Sequence, residues 1–151
     1  MSVFERYFDG TYGEPASLEE RESLIKPLIA RISASSSQVL ILLDNPSLPF
    51  ESKKCARRPL LFKLPFECSF PREIFDTKTE AFRAFVYRLT AGVANIKILD
   101  SSSLFCGAKT CFAANDNGLL YLGDTNHLNM RGAKMVGQEI MRLYPDLLHA
   151  N

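Results

Sequence analysis

Short apolar runs that end at an aspartate alternate along this chain with patterns typical of amphipathic helices. Three such runs occupy residues 39–43, 96–99 and 119–122, and the aspartates at or just beyond their ends are Asp44, Asp100 and Asp124. Short aliphatic runs without a polar face predict buried parallel strands. Strands that alternate with helices predict an α/β fold, here a three-layer sandwich with a parallel, flavodoxin-like sheet. In such sheets ligands bind at the carboxyl ends of the strands, where these three aspartates fall.

Three helices are predicted around these strands. The first begins at the capping box Ser17–Glu20, and Pro27 should kink or divide it. The second lies within residues 72–91, with another capping box at Thr77–Glu80 and an end near Gly92. The third begins near Asn129. The faces predicted to be buried are Leu18, Ile25, Leu28, Ile29 and Ile32 in the first helix, Phe82, Phe85, Val86 and Leu89 in the second, and Ala133, Val136, Ile140 and Leu143 in the third.

Composition limits the classes of protein to which the chain can belong. Its 151 residues are 46% hydrophobic, which is enough for one compact domain. Residues 1–16 are read as an irregular N-terminal segment of that domain. A formal net charge of +1 argues against a nucleic-acid partner. No apolar run reaches the roughly 20 residues of a membrane span, and the first ten residues lack the features of a signal peptide, so this chain carries no targeting signal of its own.

The four cysteines fall into two local pairs, each of which spans a predicted loop. Cys55 and Cys68 flank a long proline-rich loop, and Cys106 and Cys111 flank a tight one. Two short disulfides would fit this spacing and would indicate an oxidising compartment. A zinc site is the first alternative, although the chain has no CxxC pair and both histidines lie near its C-terminus. Four unpaired thiols in a cytosolic domain are the second alternative, which the sequence leaves open.

Asp124 and His127 have the residue types and spacing of an acid–base pair. A carboxylate that accepts from one ring nitrogen fixes the tautomer of an imidazole, so that the other nitrogen can take a proton from a hydroxyl. Three residues across a strand-to-helix turn can bring the two side chains together. An Asp-x-x-His match also arises by chance, with both residues serving only the turn. Tyr121 and Asn45, at predicted strand ends, either line the same cleft or are ordinary edge residues.

The segment LLYLGDTNHLNMRGAKMVGQEI resembles the last sequence block of SGNH hydrolases, in which an apolar strand is followed by Asp-x-x-His and a helix that opens with Gly-Ala. VLILLDNP before a long cysteine-containing loop, and the stretch KILDSSSLFCGAKTCFAANDNGLLYLGDTNHLN, are similar to the SGNH domain appended to type-3 membrane acyltransferases. Those enzymes O-acetylate bacterial surface polysaccharides such as lipopolysaccharide. The resemblance covers roughly residues 20–143. It implies catalytic roles for Asp124 and His127 and a periplasmic or extracytoplasmic location, which agrees with paired cysteines.

One motif of the family is missing from these residues. The nucleophile of SGNH hydrolases is the serine of a Gly-Asp-Ser motif after the first strand, and no such tripeptide occurs here. The oxyanion-hole Gly and Asn have no identifiable match either, and Asn129 replaces the usual Ser or Thr. Ser101, in the dipeptide Asp100-Ser101, is the strongest substitute for the nucleophile. It lacks a preceding glycine, and a serine that caps a turn is the favoured interpretation.

The preferred hypothesis is therefore a partial domain, residues 1–151, that lacks its first strand and its nucleophile. It would be the C-terminal portion of an SGNH-type O-acyltransferase or esterase, inactive by itself. Its partners would be an acyl donor, a sugar hydroxyl acceptor and a membrane acyltransferase domain, with no metal and no cofactor. The missing strand would expose a sheet edge through which the chain could self-associate. The alternative is a non-catalytic SGNH-like module that binds carbohydrate or a partner protein.

Overall fold

The computed structural model describes residues 17–55 and 68–148, and the predicted irregular segment 1–16 lies outside this part of the chain. Helices and short strands alternate through the described residues, as expected. In chain order they are α1 (Leu18–Ala34), β1 (Val39–Leu43), β2 (Ser69–Pro71), α2 (Arg72–Thr90), β3 (Ile96–Asp100), α3 (Ser102–Phe105), β4 (Thr110–Phe112), β5 (Ala114–Asn115), β6 (Gly118–Leu119) and α4 (Met130–Leu143), with 3₁₀ turns at Ser52–Cys55 and Pro145–Leu148.

The first two predicted strands form a parallel pair. Val39 lies opposite Ile96, and the register continues to Leu43 opposite Asp100, so both strands end at the same edge. Within the described residues this sheet has two strands. The far side of β3 is partly covered, because the Tyr144 hydroxyl donates to the Ile98 carbonyl oxygen at 3.0 Å. The predicted α/β class with a parallel sheet is confirmed.

The prediction of a third parallel strand over residues 119–122 is wrong. β6 pairs antiparallel with β5 in a two-stranded hairpin, and Tyr121 forms an isolated antiparallel bridge with Leu128. The cause is the turn before the apolar run, where Gly118 has a φ of +114° and reverses the chain. β2 and β4 form a further antiparallel pair that the sequence patterns did not predict.

α1 begins where its capping box predicted but buries less than expected. The Ser17 hydroxyl accepts from the Glu20 backbone N–H, and the Glu20 carboxylate accepts from the Ser17 N–H. The helix continues through Pro27 instead of dividing there. Leu28 and Ile32 are exposed, by 54% and 39%, since α2 is the one element with which α1 makes extensive contact in the described residues, and one neighbour cannot cover every face of a helix. The predicted burial of this face is therefore wrong for these two residues.

α2 begins five residues earlier than its predicted capping box. It starts at Arg72 after Pro71, and Thr79 lies inside the helix, where its hydroxyl donates to the Phe75 carbonyl oxygen at 3.0 Å. Gly92, with a φ of +80°, follows the helix end as predicted. The predicted buried face is confirmed for Phe85, Val86 and Leu89, while Phe82 is half-buried.

The core lies beneath the loop that carries Asp124 and His127. The residues that form its centre come from β2, α2, β3, α3, the hairpin region and α4: Phe70, Phe75, Leu99, Phe105, Ala113, Leu120, Tyr121 and Val136. Cys106 and Cys111 are joined by a disulfide within this core, and a second disulfide joins Cys55 to Cys68. On α4 the buried stripe follows Gly132, Val136 and the half-buried Ile140, whereas Ala133 and Leu143 are exposed, against prediction.

Candidate active site

Asp124 and His127 form a hydrogen-bonded pair on the loop of residues 123–127, hereafter the Asp–His loop. Asp124 Oδ2 lies 2.5 Å from His127 Nδ1. The other carboxylate oxygen, Oδ1, accepts from the backbone N–H groups of Asn126 and His127 at 3.1 and 2.9 Å. One carboxylate therefore orients the imidazole and closes the turn on which that imidazole stands.

The contact sets the chemistry of the ring. An ionised carboxylate only accepts hydrogen bonds, so the neutral imidazole carries its proton on Nδ1 and keeps a lone pair on Nε2. The His127 side chain is 69% exposed, and Nε2 has no hydrogen-bond partner in the part of the chain that is described. The hydrogen bond from the His127 side chain is the main cause that lowers the pKa of Asp124; burial opposes it, and the two backbone N–H groups each add a smaller lowering effect. Asp124 is thus a carboxylate at neutral pH, and His127 has the arrangement of a general base.

Residues 45–53, hereafter the supporting segment, hold the backbone of the Asp–His loop. Three backbone N–H groups of this segment donate to loop carbonyl oxygens: Leu48 to Thr125 at 2.7 Å, Ser52 to Asp124 at 2.8 Å and Lys53 to Gly123 at 3.1 Å. The Asn45 side-chain amide adds a fourth bond, to the Asn126 carbonyl oxygen at 2.9 Å. The supporting segment follows β1 directly, so the carboxyl end of the parallel sheet meets the Asp–His loop, as the α/β rule predicts.

The side chain of Ser52 adds a fifth bond between the supporting segment and the Asp–His loop. This side chain is fully buried, and its hydroxyl oxygen accepts from the Gly123 backbone N–H at 2.9 Å. Ser52 also begins the 3₁₀ turn that ends at Cys55, which is bonded to Cys68. The disulfide therefore ties the supporting segment to the start of β2. Sequence reasoning missed Ser52, because a single serine between Glu51 and Lys53 has no local pattern that marks it.

The opposite side of the loop is fixed by the start of α4. Asn129 caps the helix, accepting through Oδ1 from the N–H groups of Arg131 and Gly132, and its amide donates to the carbonyl oxygens of Leu119 and Tyr121. A side chain at Gly132 would clash with the Leu120 carbonyl oxygen. Asn129 and Gly132 therefore let the helix close against residues 119–121, which explains in physical terms why a glycine opens this helix.

Tyr121 and Asn45, the two possible cleft residues, both have structural contacts. Tyr121 is 1% exposed, and its hydroxyl donates to the Pro46 carbonyl oxygen at 2.8 Å. Burial raises the pKa of this phenol, against a smaller opposing effect from a hydrogen bond with Asn45, so Tyr121 is a neutral donor. Tyr121 thus belongs to the core beneath the supporting segment, and Asn45 holds the Asp–His loop from one side.

Ser101 lies in the core. It is 1% exposed, and its hydroxyl donates to the Leu43 carbonyl oxygen at 3.0 Å, which fastens the end of β3 to the end of β1. The neighbouring Asp100 pairs with Arg83 and accepts from the Ser102 N–H. Asp44 is exposed beyond the end of β1. Among the three strand-end aspartates, the structure brings Asp124 together with a histidine and gives Asp100 an arginine partner.

Across residues 17–55 and 68–148, no three side chains of His, Cys, Asp or Glu are gathered as a metal site would require. The four cysteine sulfurs are used in the two disulfides.

Comparison with known families bears directly on this geometry. A family model described as an SGNH domain (fused to AT3 domains) matches residues 2–142. The chain belongs to this family. The match spans both strands of the parallel sheet, the supporting segment and the Asp–His loop, so the site lies within the SGNH domain. No curated protein and no solved structure matches the chain significantly.

Membership of the SGNH family connects the chain with membrane acyltransferases. SGNH domains of this kind are fused to acyltransferase-3 (AT3) domains, which makes a membrane acyltransferase domain the partner that the family indicates. In the described residues of this SGNH domain, no helix is long and apolar enough to cross a lipid bilayer.

Proposed function

We propose that Asp124 and His127 form the acid–base half of a serine-type acyl-transfer site that O-acylates bacterial surface polysaccharide. The observation that carries the proposal is the 2.5 Å contact between Asp124 Oδ2 and Nδ1 of an exposed imidazole. Both residues lie in a chain that matches the SGNH family over residues 2–142. A carboxylate that orients a histidine is the arrangement that activates a serine hydroxyl in hydrolases.

The reaction would proceed through a covalent acyl-serine. The serine oxygen attacks the carbonyl carbon of the acyl donor while its proton passes to His127 Nε2. The tetrahedral intermediate then expels the donor's leaving group, which takes that proton. In the second half, a sugar hydroxyl gives its proton to Nε2 and attacks the acyl-serine, and the proton returns to the released serine oxygen. Water in place of the sugar would give hydrolysis.

The nucleophile would be a serine outside the 151 residues, since Gly-Asp-Ser does not occur in them. The open edge of β1 supports this proposal. Within the described residues β1 pairs with β3 alone, so its other edge has no strand partner there. A further strand that ends at the serine would cover this edge and bring the hydroxyl to the carboxyl end of the sheet. Without such a strand, a second copy of the chain would pair there, and the 151 residues would self-associate.

The domain would act on the extracytoplasmic face of the membrane. Two disulfides within 151 residues are typical of an oxidising compartment, and reducing cytosol would open them. The AT3 domains to which the family is fused would anchor the site at the membrane and present the acyl group to it.

The test uses the whole protein, expressed from the longest reading frame that encodes this chain. Hydrolysis of p-nitrophenyl acetate and labelling by a fluorophosphonate, which reacts with activated serines, would be measured together. We expect His127→Gln to reduce both rates by about 10³- to 10⁴-fold. The matched control is His149→Gln, the chain's other histidine, which should leave both rates unchanged.

One result would overturn the acid–base role, and another would overturn only the placement of the nucleophile outside the chain. Equal rates in His127→Gln and the wild type would remove the acid–base role, and the non-catalytic binding module would then be the better description. Fluorophosphonate labelling of the isolated 151-residue chain at one of its own serines, abolished by His127→Gln, would place the nucleophile inside the chain. Ser101→Ala would identify the labelled residue in that case.

A further inference from the structure

An open groove lies between the β5–β6 hairpin and the first two turns of α4. It has a volume of about 790 Å³. Its walls are formed by the carboxamide, cationic and apolar side chains of Asn115, Asn117, Leu119, Asn129, Met130, Arg131, Lys134, Met135 and Gln138. The groove begins two residues after His127, on the same stretch of chain, and is separate from the contacts of the Asp–His loop.

The polar side chains of the groove divide into two groups. Asn115 and Asn129 are occupied by the fold: Asn115 Oδ1 accepts from the Asn117 N–H, and Asn129 makes the helix cap. The side-chain amides of Asn117 and Gln138 have no hydrogen-bond partner within residues 17–55 and 68–148. They therefore present donors and acceptors to whatever lies in the groove.

The groove carries two positive charges and no carboxylate. Arg131 and Lys134 are exposed, lie one helical turn apart, and pair with no acidic side chain in the described ranges, whereas Arg142 on the same helix pairs with Glu139 at 2.7 Å. Like charges at this spacing repel each other. Since Asn129 already caps the N–H groups of Arg131 and Gly132, an anion here would meet side-chain cations and not the free end of the helix.

Backbone geometry positions one of these cations. Gly118 has a φ of +114°, and any side chain there would meet the Arg131 guanidinium, which crosses the turn to donate to the Asn117 carbonyl oxygen. Met130, which is 85% exposed, supplies an apolar surface beside the charges. Free amides, two cations and a thioether surface match a sugar chain that carries negative charge, because its hydroxyls pair with amides and its ring faces are apolar.

We propose that this groove binds an anionic saccharide, and that it holds the acceptor chain whose hydroxyl gives its proton to His127 when it takes up the acyl group. The acceptor role rests on the proposed function, but saccharide binding does not. The carboxylate of a uronic acid would lie between Arg131 and Lys134, and neighbouring hydroxyls would pair with Asn117 and Gln138.

The test is an NMR titration of the SGNH domain with oligogalacturonate at constant ionic strength, the domain being taken from the longest reading frame that encodes this chain so that the edge of β1 is covered. We expect shifts of the backbone amides of residues 115–119 and 129–138, with maltohexaose, a neutral sugar of similar length, binding at least about tenfold more weakly. Lys134→Gln, which removes a side chain that holds nothing else in the fold, should weaken binding about threefold. Arg131→Gln with Lys134→Gln should weaken it about tenfold. The matched control exchanges the exposed Lys78 and Lys97 for glutamine and should bind as the wild type does.

Binding is measured without turnover, so a failed acyl-transfer assay leaves this result intact. Equal binding of maltohexaose would overturn the charge requirement. Equal binding of polyphosphate would reduce the groove to a non-specific cationic surface and would also overturn the proposal. So would an absence of shifts, or an equal loss of affinity in the Lys78 and Lys97 control.

Discussion

Replacing Ser52 by alanine tests whether the supporting segment positions the Asp124–His127 pair. The substitution removes one hydroxyl that is fully buried and accepts from the Gly123 N–H at 2.9 Å. It leaves that N–H without its partner in a part-buried position, which costs about 1–3 kcal/mol. For a domain of this size, each kcal/mol lowers the melting temperature by about 2–4 °C. We therefore expect Ser52→Ala to melt about 2–12 °C below the wild type.

The effect should also be local. Gly123 directly precedes Asp124, so the loss of its bond loosens the loop on which the Asp124–His127 contact depends. Amide exchange at Gly123 should accelerate, and the Nδ1 proton of His127 should exchange faster in NMR spectra at neutral pH. Ser103→Ala is the matched control, because Ser103 is exposed and its 3.3 Å bond to the Asp100 carbonyl oxygen lies on the surface. It should change stability by less than about 0.5 kcal/mol.

The reasoning would be refuted by a Ser52→Ala variant that melts with the control and keeps the wild-type exchange rate at Gly123. Loss of stability with an unchanged His127 signal would be equally informative. It would show that Ser52 stabilises the fold without positioning the imidazole.

Three further predictions follow from the same contacts. Gly132→Ala should lower the free energy of unfolding by about 1–3 kcal/mol, because the added methyl group would meet the Leu120 carbonyl oxygen. Gly137→Ala, which has open space around it, should raise the free energy of unfolding by about 0.5–1 kcal/mol. Urea titration of both variants makes the comparison. The pKa of Asp124 is lowered in the fold, so the contribution of this carboxylate to stability is present above its unfolded pKa and is lost only as the pH falls through the lowered value. The Asp124–His127 bond should therefore still be seen in NMR spectra at about pH 4. Loss of the bond near pH 5 would contradict this prediction. Replacing both Cys55 and Cys68 by serine should lower the free energy of unfolding by about 3 kcal/mol through chain entropy. The same change at Cys106 and Cys111, which close a smaller loop, should lower it by about 2 kcal/mol, and calorimetry would measure both.

Features fixed by nearby residues could be predicted from the sequence, and features fixed across the chain could not. The capping box at Ser17 and the pair formed by Asp124 and His127 each depend on residues three apart, and both pairs form the contacts that their spacing suggested. Thr77–Glu80 has the same capping pattern, yet it lies inside α2 because Pro71 already starts the helix. A local pattern specifies what a segment can do, while tertiary packing decides whether it does so.

The same distinction explains the missed parts of the site. The apolar run at residues 119–122 was predicted as a parallel strand. The turn at Gly118 instead pairs the start of this run antiparallel with β5, the strand that precedes it in the sequence. Asn45 and Ser52 act on a loop far away in the sequence, and no pattern around either residue refers to that loop. The Asp124–His127 pair was therefore visible as a motif, and the residues that hold its loop in place were not.

The separation between the supporting segment and the Asp–His loop has a consequence for how the protein folds. The bond between Ser52 and Gly123 closes over 71 residues, and that between Asn45 and Asn126 over 81. Contacts of such high sequence separation carry a large loop-closure entropy and form slowly. The loop that carries the Asp124–His127 pair is thus fixed on the domain only when distant parts of the chain have come together, so partly folded chains lack the bonds that hold this loop in place.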